Sequence, residues 1–270
     1  MSRGQISDEI MIEISRKVPN LEDLWGTLRI LSPASISIKF DPKSRVPIAA
    51  VCLNDCLSVI GEAAYALREA YAHEAWYKQE SEKPNEATSN YFVMFYTDDA
   101  ALRMYAASEH LATAIIEMLE IGKWSLRRYR KKGTSVSSTV GKYLLRRRPR
   151  HPVTAAIAAL IGSDDWLKSM AYRDKWVHDQ PALVSGFGLQ WLRKPRWEEI
   201  KTSDDATGHR MLLGGRGDPP EYTVEELRAF VTRGLTQFVE TLRNVTIFYI
   251  SLLSTRGITL SGTTLKVKIN

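Results

Sequence analysis

The sequence predicts an all-α fold: a bundle of four or more long helices, with small extended additions at the termini and after the third long helix. Three observations predict it. Apolar residues recur at threes and fours over several long stretches, the period of a helix face rather than of a strand. Helix signals bound those stretches, among them Pro47 at a first helical position and the capping box Thr223-Val-Glu-Glu226. The chain has 270 residues, 44% hydrophobic and 25% charged, enough to bury a sizeable core. Three parts are expected: an N-terminal extension over 1–44 with a possible strand, a helical domain over 45–255, and a strand-like tail over 256–270.

In SISIKF, residues 35–40, Ser35, Ser37 and Lys39 alternate with Ile36, Ile38 and Phe40. TLKVKI, 264–269, alternates in the same way, and the two segments could pair as a small sheet. The first long helix is expected from Pro47 to Gln79, with Ile48, Cys52, Cys56, Ile60, Ala63, Leu67 and Ala70 on one face. SEKPNEATSN, 81–90, then reads as a solvated connection. A second helix is expected to start near Thr97, which can cap it with Asp98 and Asp99 in a first turn where the helix dipole favours anions, or within YFVMFY just before it. Its apolar face is Leu102, Tyr105, Ala112, Ile115, Ile116 and Leu119, and it is expected to run on into the basic segment and stop by Gly133. GTSVSSTVG, 133–141, reads as a loop.

The third element begins at Pro152 and is punctuated by Gly162-Ser163. Ser163 can cap a new helix in which Trp166, Leu167, Met170 and Val177 face the core. Pro181 disfavours helical geometry at Gln180, so this helix is expected to end around His178–Gln180. Residues 185–218 carry Gly, Pro and two tryptophans and suggest a hairpin. The capping box at Thr223 opens the fourth helix, carried by Leu227, Val231, Leu235, Phe238, Leu242, Val245, Tyr249 and Leu252.

Several function classes are disfavoured. Cys52 and Cys56 are the only cysteines; their spacing is not C-x-x-C, and they read as buried thiols. No H-E-x-x-H and no clustered His/Cys set appears, so no metal is expected. No Gly-rich phosphate loop lies between a strand and a helix, and no cofactor is expected. No window holds 18 uninterrupted apolar residues, and the first residues carry acids where a signal peptide has its apolar core. A cytoplasmic protein with no membrane partner is expected.

Charge is unevenly spread. The net charge is +6, yet Lys123 to Arg150 holds eleven bases and no acid. That leaves 26 bases against 31 acids elsewhere, a net −5. Arg127, Arg128, Arg130, Lys131, Lys132, Arg146, Arg147 and Arg148 are the candidate nucleic-acid-binding residues, because each neutralised phosphate releases counterions. A solvated, solubilising loop is the alternative for this block. Trp124, Trp166, Trp176, Trp191 and Trp197 could stack on bases or pack in the core.

The stretch AYRDKWVHDQP, 171–181, carries the candidate chemistry. Arginine holds phosphate as a permanently charged planar fork, and histidine moves protons near neutral pH. Together they can cleave RNA without a metal. Spacing alone does not single out Arg173 and His178, since Arg68…His73 and Arg146…His151 also have four residues between and Arg103…His110 has six. What favours them is Asp174 directly after the arginine, the expected helix end, and the i, i+4 relation that lets Asp174 orient His178. On a regular helix Arg173 and His178 lie roughly 140° apart. They are therefore expected to converge only if the helix ends first or a second subunit shares the cleft. The alternative is ordinary surface chemistry, with Arg173 paired to an acid and His178 against the last carbonyls. Arg103 and Glu109 could line the same cleft or form an ordinary ion pair.

YFVMFYTDDAALRMYAASEHL followed by MAYRDKWVHD resembles the HEPN superfamily, in particular its Cthe_2314-like group. The likeness covers roughly residues 45–255. That group shows an acidic helix start, an Arg–x–aromatic step and an Arg–Asn/Asp–x–x–x–His motif. The resemblance implies a helical bundle, a homodimer that joins two motifs across a two-fold interface, and metal-independent RNA cleavage to a 2′,3′-cyclic phosphate and a 5′-hydroxyl. By that resemblance Arg173 and His178 carry catalysis and Asp174 takes the polar place after the arginine. Asp stands here where Asn is common, which keeps hydrogen bonding and adds negative charge near a phosphate. A toxin, stress or phage-defence effector with a neutralising or regulatory protein partner is the implied setting. A non-catalytic module binding RNA or protein through the same faces is the competing expectation.

Overall fold

The computed structural model describes residues 6–31, 36–38, 40–79, 86–130, 135–178, 184–185, 196–200, 209–213 and 220–258. Two small helices, α1 (Asp8–Lys17) and α2 (Glu22–Arg29), precede the two longest ones, α3 (Val46–Gln79) and α4 (Glu86–Met118). Then come α5 (Lys123–Arg127), α6 (Val136–Arg147), α7 (Pro152–Ile161) and α8 (Asp164–His178), a short hairpin, and α9 (Val224–Thr255). The class is all-α.

α3 and α4 are about 50 Å long and form an antiparallel pair. Arg45, just before α3, donates to Glu117 at the end of α4 at 2.6 and 2.7 Å. At the other end His73 stacks on Phe92 and Tyr96. α9 lies across this pair and α8, and its Tyr249 hydroxyl donates to the Val46 carbonyl at 2.9 Å. Leu53, Leu57, Ile60, Leu67, Met104, Ile115, Leu235, Phe238 and Leu242 meet in one core. By length and composition α3 could cross a membrane, but 56% of its most apolar window is buried in the bundle, as in a core helix.

The fourth long helix follows its signals. Thr223 accepts from the Glu226 N–H at 3.0 Å, and the Glu226 carboxylate accepts from the Thr223 N–H at 2.8 Å. α7 has Pro152 in its first turn, and its N-cap His151 accepts from the Val153 N–H through Nδ1. Ser163 opens α8 by accepting from the Trp166 N–H at 3.4 Å.

Other boundaries differ from expectation. Thr97 does not cap α4. The helix begins eleven residues earlier, and Thr97 is buried within it, donating to the Val93 carbonyl at 2.7 Å. The aromatic run before Thr97 packs on the end of α3 and so continues the helix upstream. Residues 86–90 therefore belong to α4 rather than to a connection; 80–85 lie outside the described residues.

Nor does α4 run into the basic segment. Glu120 adopts a positive φ of 49°, and the Ile121 N–H bonds back to the Ile116 carbonyl at 2.9 Å, a helix-ending pattern. The buried Ile121 side chain turns the chain inward at that point. Of the expected loop 133–141, residues from Val136 onward are helical, because Val140, Tyr143 and Leu144 share a buried face. Leu167 and Val177 do not face the core; Trp166, Ser169 and Tyr172 do.

Residues 36–38 form a helical turn rather than a strand, with Ile36 buried and Ile38 exposed. A two-residue alternation has no pairing strand there among the described residues. The segment 264–269 lies outside them. β1 (Arg196–Ile200) and β2 (His209–Leu213) pair antiparallel, Arg196 opposite Leu213. α1 and α2 pack on α3, and Leu24 and Leu28 enter the main core.

Candidate active site

α8 is fixed before it presents any polar group. Ser169 is fully buried and donates to the Asp165 carbonyl at 2.7 Å and the Phe230 carbonyl of α9 at 3.3 Å. Three residues on, the same face presents Tyr172, whose ring packs edge-on against Phe230 and Tyr222. The Tyr172 hydroxyl donates a short hydrogen bond to the Asp98 carboxylate of α4. Burial pushes the Asp98 carboxyl up to about 6, with the Tyr172 bond opposing. Burial and the neighbouring carboxylate push the Tyr172 hydroxyl up as well.

With Tyr172 locked inward, Arg173 is placed beside α4. Its guanidinium carbon sits 3.8 Å from the centroid of the Tyr105 ring, a close cation–π stack. Nη1 donates to Asp174 at 2.9 Å and lies 3.4 Å from His178 Nε2. Nε is buried and has no hydrogen-bond partner among the described residues. The side chain is only 13% exposed, whereas Asp174 is 62% exposed. In the contact with Nη1, His178 Nε2 can only accept, because guanidinium has no lone pair to offer.

Arg173 and His178 thus meet within one chain. The expectation that the helix must end first, or that a second subunit is required, is corrected. α8 stays helical through His178, its last residue, and the arginine side chain wraps far enough to span the angle. The expected role of Asp174 is corrected too. Among the described contacts its carboxylate holds Arg173 and not His178, since the adjacent permanent cation outcompetes a histidine one turn on.

Arg103 and Glu109 do not pair. Arg103 bonds Asp99 at 2.8 Å and also Glu62. Glu109 accepts from the Val136 and Ser137 N–H groups at 2.8 and 3.0 Å, capping α6. Glu109 thereby anchors α6 one turn from Tyr105. Between α4, α6, α7 and α8 is an apolar cavity of about 380 Å³, lined by Leu111, Ile115, Val140, Ile157 and Phe238 and bordered by Tyr105 and Asp174.

Of the basic residues, Arg127 lies in α5, Arg128 and Arg130 just after it, Arg146 and Arg147 in the last turn of α6, and Arg148 at its C-cap. All but the half-buried Arg148 are exposed, and Lys131 and Lys132 lie outside the described residues. Among the described residues no group of three or more His, Cys, Asp or Glu is arranged to hold a metal. Cys56 is buried and its thiol is pushed up by burial.

Tyr105, expected on the apolar face of its helix, and Asp98, expected as a first-turn acid, both contact the site from mid-helix. The available signal was the apolar run 91–96, which places Asp98 well inside the helix. No family model, curated protein or solved structure matches the chain.

Proposed function

We propose that the chain is a metal-independent endoribonuclease of the HEPN type, with Arg173 and His178 as its catalytic pair. One observation carries the reading: Arg173 Nη1 and His178 Nε2 stand 3.4 Å apart at the exposed end of a helix whose buried face is clamped by Ser169 and Tyr172. His178 takes the proton of a ribose 2′-hydroxyl, and the 2′ oxygen attacks the adjacent phosphorus. Arg173 stabilises the charge that builds on the phosphoryl oxygens. The bond to the 5′ oxygen breaks, that oxygen receives a proton, and a 2′,3′-cyclic phosphate and a 5′-hydroxyl remain. In a homodimer the His178 of a second copy supplies that proton. RNA is the substrate, the arginines of the basic segment hold it, and a neutralising protein partner would cover the paired sites.

A specific observation supports the second reading, a helical module that binds RNA or protein without cleaving it. Arg173 is nearly buried and already carries the Asp174 carboxylate, as a structural arginine does. Cleavage of labelled single-stranded RNA in EDTA separates the two. Cleavage by wild type, with cyclic-phosphate ends, and none by His178→Ala or Arg173→Ala establishes the nuclease. No cleavage by any of the three across varied RNAs selects the binding module.

A further inference from the structure

Another cavity lies where α5 meets the end of α6. It encloses about 320 Å³ and is lined by Trp124, Ser125, Arg128, Tyr129, Tyr143 and Arg147. Trp124 is 81% exposed, the largest side chain the described surface leaves this open. The Arg127 guanidinium lies 5.4 Å from the centre of its ring. Tyr129 meets Tyr143 edge-to-face at 5.7 Å, and Tyr143 is rooted in the core, so the floor of the cavity is rigid. Arg127, Arg128 and Arg147 have no carboxylate partner among the described residues, as expected where 28 consecutive positions hold no acid.

The indole faces water, and the arginines around it have no acid beside them among the described residues. Flat aromatic faces interleaved with unpaired arginines are the chemistry that binds unpaired bases and their phosphates. A duplex keeps its base faces stacked inside and offers Trp124 nothing but an edge.

We propose that this cavity is a binding subsite for single-stranded RNA: a base stacks on Trp124 while Arg128 and Arg147 take the flanking phosphates. The assignment of RNA rests on the nuclease reading. α6 spans about 18 Å from Ser135, which borders the apolar cavity with Tyr105, to Arg147 in the subsite. It sets the subsite apart from the Arg173–His178 pair on a fixed element.

The test is fluorescence anisotropy in EDTA with a labelled single-stranded 2′-O-methyl RNA, which lacks the attacking hydroxyl and is not cleaved. Trp124→Ala is expected to weaken binding roughly 5- to 100-fold, and Trp124→Phe to recover most of it. Arg128→Gln and Arg147→Gln are each expected to lower the log–log salt slope by about 0.7. Cleavage of the same sequence as unmodified RNA is read in parallel, so absent cleavage with Trp124-dependent binding counts against the nuclease and not against the subsite. Because Trp124 is exposed, each variant should keep its melting temperature. Equal affinity of wild type and Trp124→Ala overturns the subsite, as does failure of wild type to bind. Equal binding of a matched duplex also overturns it. Trp124-dependent binding to phosphatidylserine vesicles without Trp124-dependent RNA binding assigns the surface to a membrane instead and overturns it too.

Discussion

Two of the arginines that lie over aromatic rings do so in contrasting ways. Arg173 lies 3.8 Å from the Tyr105 ring centre, almost buried, with Asp174 on one nitrogen and His178 beside it. Arg127 lies 5.4 Å from the Trp124 ring centre, exposed, with no acid near it in the sequence. The first arrangement spends contacts on fixing one cation in one place. The second leaves both partners open to something outside the chain. Position suits chemistry at a bond, and openness suits affinity for a polyanion whose contacts need not be exact.

The largest expected effect tests this contrast with one substitution made twice. Arg173→Lys keeps the charge but loses the planar fork and the stack. Under the proposed function it should cut RNA cleavage by about 10²- to 10⁴-fold, as should His178→Ala. Arg127→Lys should leave the cleavage rate within about threefold, because a phosphate-holding charge is retained. Single-turnover cleavage rates at fixed salt measure both, and equal losses would erase the distinction between the two regions.

Next is the buried acid behind the held arginine. Asp98 has a folded-state carboxyl near 6 against an ordinary 3.8. The folded protein therefore binds this proton more tightly than the unfolded chain does. The stabilising contribution is fully present below about pH 4 and is lost as pH rises through about 6. Asp98→Asn removes the charge and keeps an acceptor for Tyr172. It should stabilise the fold at pH 7 by on the order of 2–3 kcal/mol, and the gain should shrink toward pH 4. Thermal melts from pH 4 to 8 give the difference curve; a gain that does not change with pH would show that burial of charge is not the cause.

Gly234 tests the clamp. A Cβ there would come within 2.8 Å of Ser169 Oγ, 3.1 Å of the Asp165 carbonyl and 3.2 Å of Met104. Since a backbone atom is among them, α8 must shift from α9. Gly234→Ala should destabilise by about 1–3 kcal/mol in denaturant titrations and should lower cleavage more than RNA binding.

What was legible in the sequence follows the same division. The α9 capping box, α7 with Pro152 and α8 with Ser163 were readable because local side chain–backbone bonds make those ends. Thr97 misled because its hydroxyl bonds equally well to a carbonyl one turn back, inside a helix. The end of α4 depends on the burial of Ile121 and on Glu120, whose carboxylate accepts from Ser44 and the Arg45 N–H across the bundle. Such partners lie more than seventy positions away and leave no local pattern. For the candidate site, Arg173, Asp174 and His178 could be named from the sequence, but the contact between Arg173 and His178 could not be foreseen. The helical angle counted against a contact that the length of the arginine side chain allows. The Tyr105 platform needed the packing of α8 on α4. Trp124 was one of five tryptophans with equal standing until its exposure set it apart.

The smallest expected effect concerns Tyr105 itself. If the ring face holds Arg173, Tyr105→Phe keeps the stack and should leave cleavage within about twofold and stability within about 0.5 kcal/mol. Tyr105→Leu removes the face while filling part of the same space. A cation–π contact of this kind is worth about 0.5–2 kcal/mol, so cleavage should fall about 3- to 30-fold with little change in RNA affinity. The order Tyr ≈ Phe > Leu marks the ring face as the active feature. An order of Tyr > Phe ≈ Leu would assign the effect to the hydroxyl and its surroundings at the cavity edge. Trp124 supplies the matching control on the open side, where loss of the ring should change affinity and leave the cleavage step alone. The two aromatic residues would then divide the arginine chemistry between holding a catalyst and holding a ligand.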